Sequence, residues 1–595
     1  MEHLELVQVK KKLPSYSLFD TTNLDDVKDS ILSSKDNFVA VDTETTGLDW
    51  TTNQAFGVSL AWDDKGIFIR NTDYGTNNIG MLMNALFAAE HKTYVFHNAE
   101  FDLHMLRETY GTGMPTKIVD TLRLAYLKNP AMPHGLKDLG EAEFGSVAGT
   151  AEDTIKEYIK QYHLKGYHQV PSEFMDPYAV LDTILTKALA HLYIDDVIAD
   201  CEYLFKVEHK LIPIIVKMEM EGLRVDTEYI NQLLKEFRVE QRVIQDSLYE
   251  IIGKPVEIAS TKQLQEYFYD RLRITPPAET ETGQRSVDKP ALELINHPVG
   301  TKVAELVLRW RELGKLTSTY LEPYKDLEGR VHPHWNATGT RTGRFSSSKP
   351  NQQNIPKHGQ IRRMFVPDNE FFDFDYSQIE LRIAADISKQ RNMIDAFKND
   401  MDMHSFVSSL AFNKDINDVS KEERQIGKHL NFSVLYGSGS KGIQQKLGMN
   451  KTQADTVLNY FHSSFPQLRA NSKSLTNEAE RNGYVRSKFG RKLIVDKPFT
   501  ANNYVIQGTA ADIIKIALLK TAKYVESVGG KIRNTVHDQI LFDNITEKDG
   551  EELRSIMQEF PMPTGVPLKV DLQRSTVSWG DLVHVDDEDE TEAEE

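Results

Sequence analysis

Phe371-Phe372-Asp373-Phe374-Asp375-Tyr376-Ser377-Gln378-Ile379-Glu380 is the stretch on which the reading of this chain turns. Its aromatic-rich first half predicts a strand that ends in a carboxylate, Asp375. The Ser-x-x-Glu that follows predicts a capped helix, with Glu380 reaching back to the helix start. Capping gives Glu380 a structural role, whereas nothing structural explains Asp375. A second carboxylate, Asp538 in Val536-His537-Asp538-Gln539, stands at a tight turn between strand-like runs. Strand-end acids that are far apart in sequence but share a sheet can hold a pair of divalent ions.

Between these two acids, Arg424, Lys428, Phe432 and Tyr436 recur every four residues and share one helical stripe. No acid stands three or four positions from either cation, so the stripe is expected to carry an unpaired cationic pair. Such a pair suits a triphosphate, and the two rings beyond it suit a base or sugar. The alternative is a solvated basic edge, with Phe432 and Tyr436 in the core.

Near the start, the apolar run Phe38-Val39-Ala40-Val41 leads into Asp42-Thr43-Glu44. A strand alternates faces, so Asp42 and Glu44 project together and repel unless a cation lies between them. His97-Asn98-Ala99-Glu100-Phe101-Asp102 and Tyr178-Ala179-Val180-Leu181-Asp182 add further acids. Asp42, Glu44, Asp102 and Asp182 would supply oxygen ligands for two magnesium-type ions, and Tyr178 would orient an attacking water.

The chain has 595 residues, 40% of them hydrophobic and 27% charged, which predicts several globular domains. One cysteine, Cys201, excludes an intramolecular disulfide and a zinc knuckle. No apolar leader or membrane-length run is present, which predicts a soluble protein of a reducing compartment, the cytoplasm. The net charge of −18 argues against a wholly basic footprint, but eight acids lie in the last ten residues, Asp586 to Glu595. That run reads as a solvated, disordered tail, with docking of a protein partner as the second reading. Strands at Phe38–Asp42, Ala55–Trp62 and Gly66–Ile69, followed by helical patterns, predict an α/β unit of about 200 residues. A helical region to about Leu327, an extended loop from Asn336 to His358, a mostly helical block to about Leu519 and a hairpin near Ile532–Phe542 follow.

Asp-Thr-Glu, Asn-x-x-x-Asp and Tyr-x-x-x-Asp, in that order, resemble the DnaQ-type 3′→5′ exonucleases. Asp375-Tyr376-Ser377-Gln378-Ile379-Glu380-Leu381-Arg382, the Arg424–Gly437 stripe and His537-Asp538 resemble motifs A, B and C of the family A DNA polymerases. Thr342–Ser347, Asn351–Pro356, Gln507–Asp512 and Met218–Leu223 strengthen that resemblance. It implies an α/β multidomain protein: an RNase H-like exonuclease domain over 1–200, then a palm–fingers–thumb polymerase domain over 201–585. The thumb is expected at about 201–330, the palm at 331–387 and 501–585, and the fingers at 388–500, with 586–595 as the tail.

The resemblance further implies roles. Asp375, Asp538 and the Tyr376 carbonyl would hold two Mg2+ ions, replaceable by Mn2+, and the exonuclease acids would hold a second pair. Arg424, Lys428 and His404 would meet the incoming triphosphate, Phe432, Tyr436 and Gln353 would line the nucleotide site, and Glu380 would fill the space of a ribose 2′-hydroxyl. Arg344, Asn503, Gln507 and His537 would touch the minor groove of a DNA primer–template, checking geometry without reading sequence. A monomer that uses dNTPs is expected.

The chain departs from the family at Gln539, where Glu is usual, and at Phe499, where bacterial members often carry Arg. The absence of a 5′-nuclease segment and of a long thumb insertion reads as a compact phage replicase working in the host cytoplasm. Two alternatives are a nuclease whose C-terminal part only binds nucleic acid, and an RNA polymerase or reverse transcriptase on a related palm. Asp375, Asp538, Arg424 and Lys428 oppose the first, while Glu380 and the exonuclease motifs oppose RNA synthesis.

Overall fold

Apolar alternation around Asp42 builds the first sheet. Strands β1 (Ser17–Leu18), β2 (Phe38–Thr45), β3 (Ala55–Trp62), β4 (Lys65–Arg70), β5 (Thr93–Phe96) and β6 (Ile118–Asp120) lie in the order β1-β4-β3-β2-β5-β6. β2 pairs antiparallel with β3 and parallel with β5, so the strand bearing Asp42 and Glu44 sits centrally. Val39 and Val41 pack on one face and Ala40 on the other. With both faces covered, helices fill each side: α1 (Ala99–Tyr110) on the Val41 face, α2 (Thr121–Lys128) on the Ala40 face. α3 (Leu136–Phe144) follows.

α4 (Ser172–Glu221) then runs for 50 residues and breaks at Cys201, whose φ of −154° and ψ of 54° are not helical. Its first half covers the Ala40 face through Val180, Ile184 and Leu189. Its second half wedges between two cores: Ile212 and Val216 join the first sheet, while Leu211, Ile215 and Met218 join the core of the second sheet. A separate core forms around α5 (Thr227–Ile252) and α6 (Gly300–Lys315).

The second sheet is antiparallel. Its strands are β7 (Phe371–Tyr376), β8 (Lys531–Val536), β9 (Gln539–Asp543), β10 (Val570–Ser575) and β11 (Val583–His584), ordered β8-β9-β7-β10-β11. Asp375 is paired with Gln539 on one side and Asp571 on the other. Three helices, α7 (Ile379–Ser388), α8 (Met403–Phe412) and α9 (Lys421–Leu435), contribute side chains to a cavity shared with the end of β7. α10 (Ala501–Ser527) packs against α7 and overruns the expected end at Leu519, because Thr521 and Val525 continue its buried face.

Two expectations need correction. The helical block is interrupted by an antiparallel pair, Tyr484–Arg486 with Lys492–Ile494, too short to show a period. The supposed loop Asn336–His358 contains Ser346–Ser348, paired with His334–Asn336, a polar strand with no apolar alternation to reveal it. The computed structural model describes residues 11–585 apart from 146, 281–282, 328, 358 and 413, and omits the side chains of 147–150 and 446. The acidic run 586–595 lies outside the described residues. Among them, no helix is long and apolar enough to cross a membrane.

Buried ions join the two sheets' domains. Glu208 on α4 accepts from Lys515 Nζ at 2.7 Å, from Arg123 Nη1 at 3.1 Å and from Arg491. Arg491 also donates to Asp512 at 2.7 Å, and Arg123 to Glu100. Burial alone would raise the Glu208 carboxyl, but Lys515, Arg491 and Arg123 outweigh it and hold it at about 2.

Candidate active sites

The first site assembles from three elements. Asp42 and Glu44 project from the same face of β2, and α4 brings Asp182 across, so oxygens of the three lie within 4.8 Å of one another. Burial and then Asp182 push Asp42 up to about 7, against Lys137. Burial, Asp42 and Asp182 carry Glu44 well above the usual carboxylate range. An all-oxygen donor set whose members repel when unshielded fits a hard divalent ion.

Asp102 takes a different position from its three partners. It accepts from the Thr43 amide at 3.0 Å and the Thr43 hydroxyl at 2.7 Å, which ties α1 to β2 behind the cluster. Burial and then Asp42 still raise its carboxyl. Tyr178 lies one turn before Asp182 on α4, and burial keeps its phenol protonated, a hydroxyl able to donate. Sequence reasoning missed Lys137 on α3, which pairs with Asp182 and lies 4.6 Å from the centre of the Tyr178 ring. Its distance of 45 residues from Asp182 leaves no local signal.

The second site is a cavity of about 520 Å³ at the end of the second sheet. Asp375 closes β7 and Asp538 lies in the β8–β9 turn; the Tyr376 amide donates to the Asp538 carbonyl at 3.1 Å, clamping the two acids' backbones together. Burial and Asp375 push Asp538 up to about 6. Lys357 Nζ donates to Asp375 at 2.6 Å; burial works against its charge, but Asp375 raises it. Two acids and a carbonyl at one strand end are a donor set that also fits divalent ions. Arg424, Lys428, His404, Phe432 and Tyr436 line the same cavity. Phe432 is half-buried and lines the cavity, so it is not core. Burial, reinforced by Arg424 and Lys428, lowers His404 to about 4, leaving a neutral ring.

Two sequence readings fail here. The capping box is absent: α7 starts after Gln378, which has a left-handed φ of 53° and makes no cap bond. Glu380 is drawn away by stronger partners, accepting from Arg344 on one oxygen and from the Tyr436 hydroxyl at 2.8 Å on the other. The cationic stripe is not unpaired either. Asp402 accepts from Arg424 Nε at 2.9 Å and Nη2 at 3.0 Å, an anion supplied from the segment ahead of α8.

Arg344 and His537 line the cavity with Tyr376 and Glu380. Asn503 and Gln507, one turn apart on α10, lie outside its lining, though Ala510, Ala511 and Ile514 of the same helix reach it. Gln353 is not brought to the cavity. It donates to the Thr535 carbonyl at 2.6 Å and accepts from the His537 amide at 3.1 Å, bracing the turn that holds Asp538. Besides Lys357, the reading missed Asp571, which lines the cavity and whose Val-Asp-Leu-Gln alternation was legible.

Residues 227–581 match DNA polymerase family A, and residues 18–193 match a 3′-5′ exonuclease family. The DNA polymerase I of Chloroflexus aurantiacus is 31% identical over 579 residues, covering 90% of this chain and 60% of that protein. A thermostable DNA polymerase I of Thermus filiformis is 34% identical over 395 residues, covering 62% of this chain and 47% of its own length. The chain thus spans about 60% or less of the length of these relatives. A solved structure, the POL domain of Pol1 from M. smegmatis in complex with DNA primer-template and dNTP, superposes with a TM-score of 0.79. It is 26% identical, and the match covers 95% of this chain and 100% of that one.

Proposed function

The chain belongs to DNA polymerase family A and carries a 3′-5′ exonuclease domain, and on that premise we propose that it extends a DNA primer on a template from dNTPs and proofreads the product. The observation that carries this reading is the cavity whose lining brings Asp375 and Asp538 together with Arg424, Lys428 and His404. Two Mg2+ ions held by Asp375, Asp538 and the Tyr376 carbonyl would activate the primer 3′-hydroxyl and offset charge on the leaving pyrophosphate.

The chain's own residues do the rest. Asp402 fixes the Arg424 guanidinium, so its fork is oriented before a triphosphate arrives. Lys428 adds a second cation, and neutral His404 offers a ring N–H where a charge is not needed. Phe432 and Tyr436 bound the sugar and base. Both Glu380 oxygens are engaged, so the carboxylate cannot swing aside for a ribose 2′-hydroxyl. Arg344, His537, Asn503 and Gln507 track the minor groove. In the exonuclease site Asp42, Glu44 and Asp182 would hold divalent ions, Asp102 anchors β2 through Thr43, and the Tyr178 hydroxyl would orient water.

The finer expectation, replication of a phage genome, gains no support from the relatives named above, which are bacterial. Primer extension with dNTPs against rNTPs, on DNA and on RNA templates, tests the assignment. Extension restricted to dNTPs is expected; a chain that only degrades DNA would overturn it.

A further inference from the structure

Gln539 follows Asp538 directly and is paired in register with Asp375, so it shares a face with Asp375 and, two residues back, with Asp373. On that face its amide Nε2 donates to Asp373 Oδ2 at 2.7 Å, and its carbonyl Oε1 accepts from Arg362 Nη2 at 3.4 Å. All three residues are buried. Arg362 is held independently, its Nε donating to the Pro356 carbonyl at 3.1 Å and its guanidinium lying 3.9 Å from the centre of the Trp579 ring. Among the described residues the second Asp373 oxygen accepts no close hydrogen bond, and the Trp579 indole N–H is the donor that favours its charge. None of the three lines the cavity.

A carboxylate between Phe372 and Phe374 is costly to bury, and so is an arginine beneath the catalytic strands. An amide solves both, because it accepts from the cation on one side and donates to the anion on the other. A carboxylate at 539 would have no N–H to give Asp373, so the two acids could meet only by repelling or by sharing one proton. The amide at 539 is therefore matched to Asp373: it takes the middle place between the acid of β7 and Arg362.

We propose that Asp373, Gln539 and Arg362 form a positioning relay for polymerisation. It cross-links β7 and β9, the strands that hold Asp375 and flank Asp538, and balances the charge of Arg362 below them. The function of the relay rests on the polymerase reading above.

A charge exchange tests it. Gln539→Glu should lower the thermal midpoint measured without metal and cut kcat for dNTP incorporation about tenfold or more, with KM for dNTP and exonuclease rate unchanged. Asp373→Asn combined with Gln539→Glu keeps one carboxylate facing Arg362 and restores a donor, and should recover most of both losses. Should Gln539→Glu yield no folded protein, Gln539→Met removes both hydrogen bonds without adding charge, and should lower kcat while sparing KM. The relay is overturned if the double variant melts and turns over no better than Gln539→Glu, or if Gln539→Met keeps the parental kcat. The melting cycle reads the coupling without catalysis, so a chain that extends no primer would sink the polymerase reading and leave the relay separately decided.

Discussion

The two candidate centres handle charge in opposite ways. In the exonuclease site three carboxylates crowd within 4.8 Å, with Lys137 paired to Asp182, and burial and mutual repulsion raise Asp42 and Glu44. In the polymerase cavity acids meet bases: Asp375 with Lys357, Glu380 with Arg344, and Asp402 with Arg424. The first is a tight seat whose charge is left for ions to balance. The second is a cavity of about 520 Å³ in which Asp375 and Glu380 are already paired with bases while Asp538 is still raised by burial and Asp375, as suits a site that must admit and release a large anion.

The strongest way to break this comparison is to remove ligands from one centre. Asp375→Ala or Asp538→Ala should cut primer extension about a thousandfold or more while sparing degradation of a single-stranded 3′ end, and Asp42→Ala with Glu44→Ala should do the reverse. A chelator should stop both reactions. Loss of both activities from either change, in protein with a native melting profile, would mean the centres are not independent.

Next in size is the joint between them. Glu208→Gln strips one carboxylate from three buried cations and should cost about 3–5 kcal/mol in denaturant unfolding. The folded Glu208 carboxyl lies below its ordinary value, so its contribution is whole above pH 4.5 and is lost as pH falls toward 2. Acid unfolding in that window should therefore be blunted in the glutamine variant. An unchanged acid profile would assign the linkage elsewhere.

A smaller effect is expected at Glu380. Since this carboxylate is held by Arg344 and Tyr436 and caps nothing, Glu380→Ala should relax discrimination against rNTPs by about tenfold or more. A loss of melting temperature with unchanged sugar choice would return Glu380 to a structural role. Smallest of all, Phe432→Tyr should raise dideoxynucleotide use by about three- to tenfold in exonuclease-deficient protein, the worth of one hydrogen bond at a missing 3′-hydroxyl. An unaltered ddNTP to dNTP ratio would mean the ring does not face the sugar.

The sequence by itself determined the chemistry and its approximate place. Aromatic and apolar runs ending in Asp42 and Asp375 could only be strands that present acids at their ends, and the four-residue spacing from Arg424 to Tyr436 could only be one helix face. Such patterns are local, repeating over two to four residues, so they survive without a fold. The partners of those residues were decided by tertiary structure alone. Lys137 reaches Asp182 across 45 residues, Arg344 reaches Glu380 across 36, Asp402 meets Arg424 across 22, and Lys357 meets Asp375 across 18. No periodicity spans such gaps, so the acid of a capping box became the partner of an arginine, and an unpaired stripe acquired an anion. The fold chooses among competing partners by burial: where water is excluded, the nearest opposite charge or donor outweighs a helix cap that solvent could have satisfied.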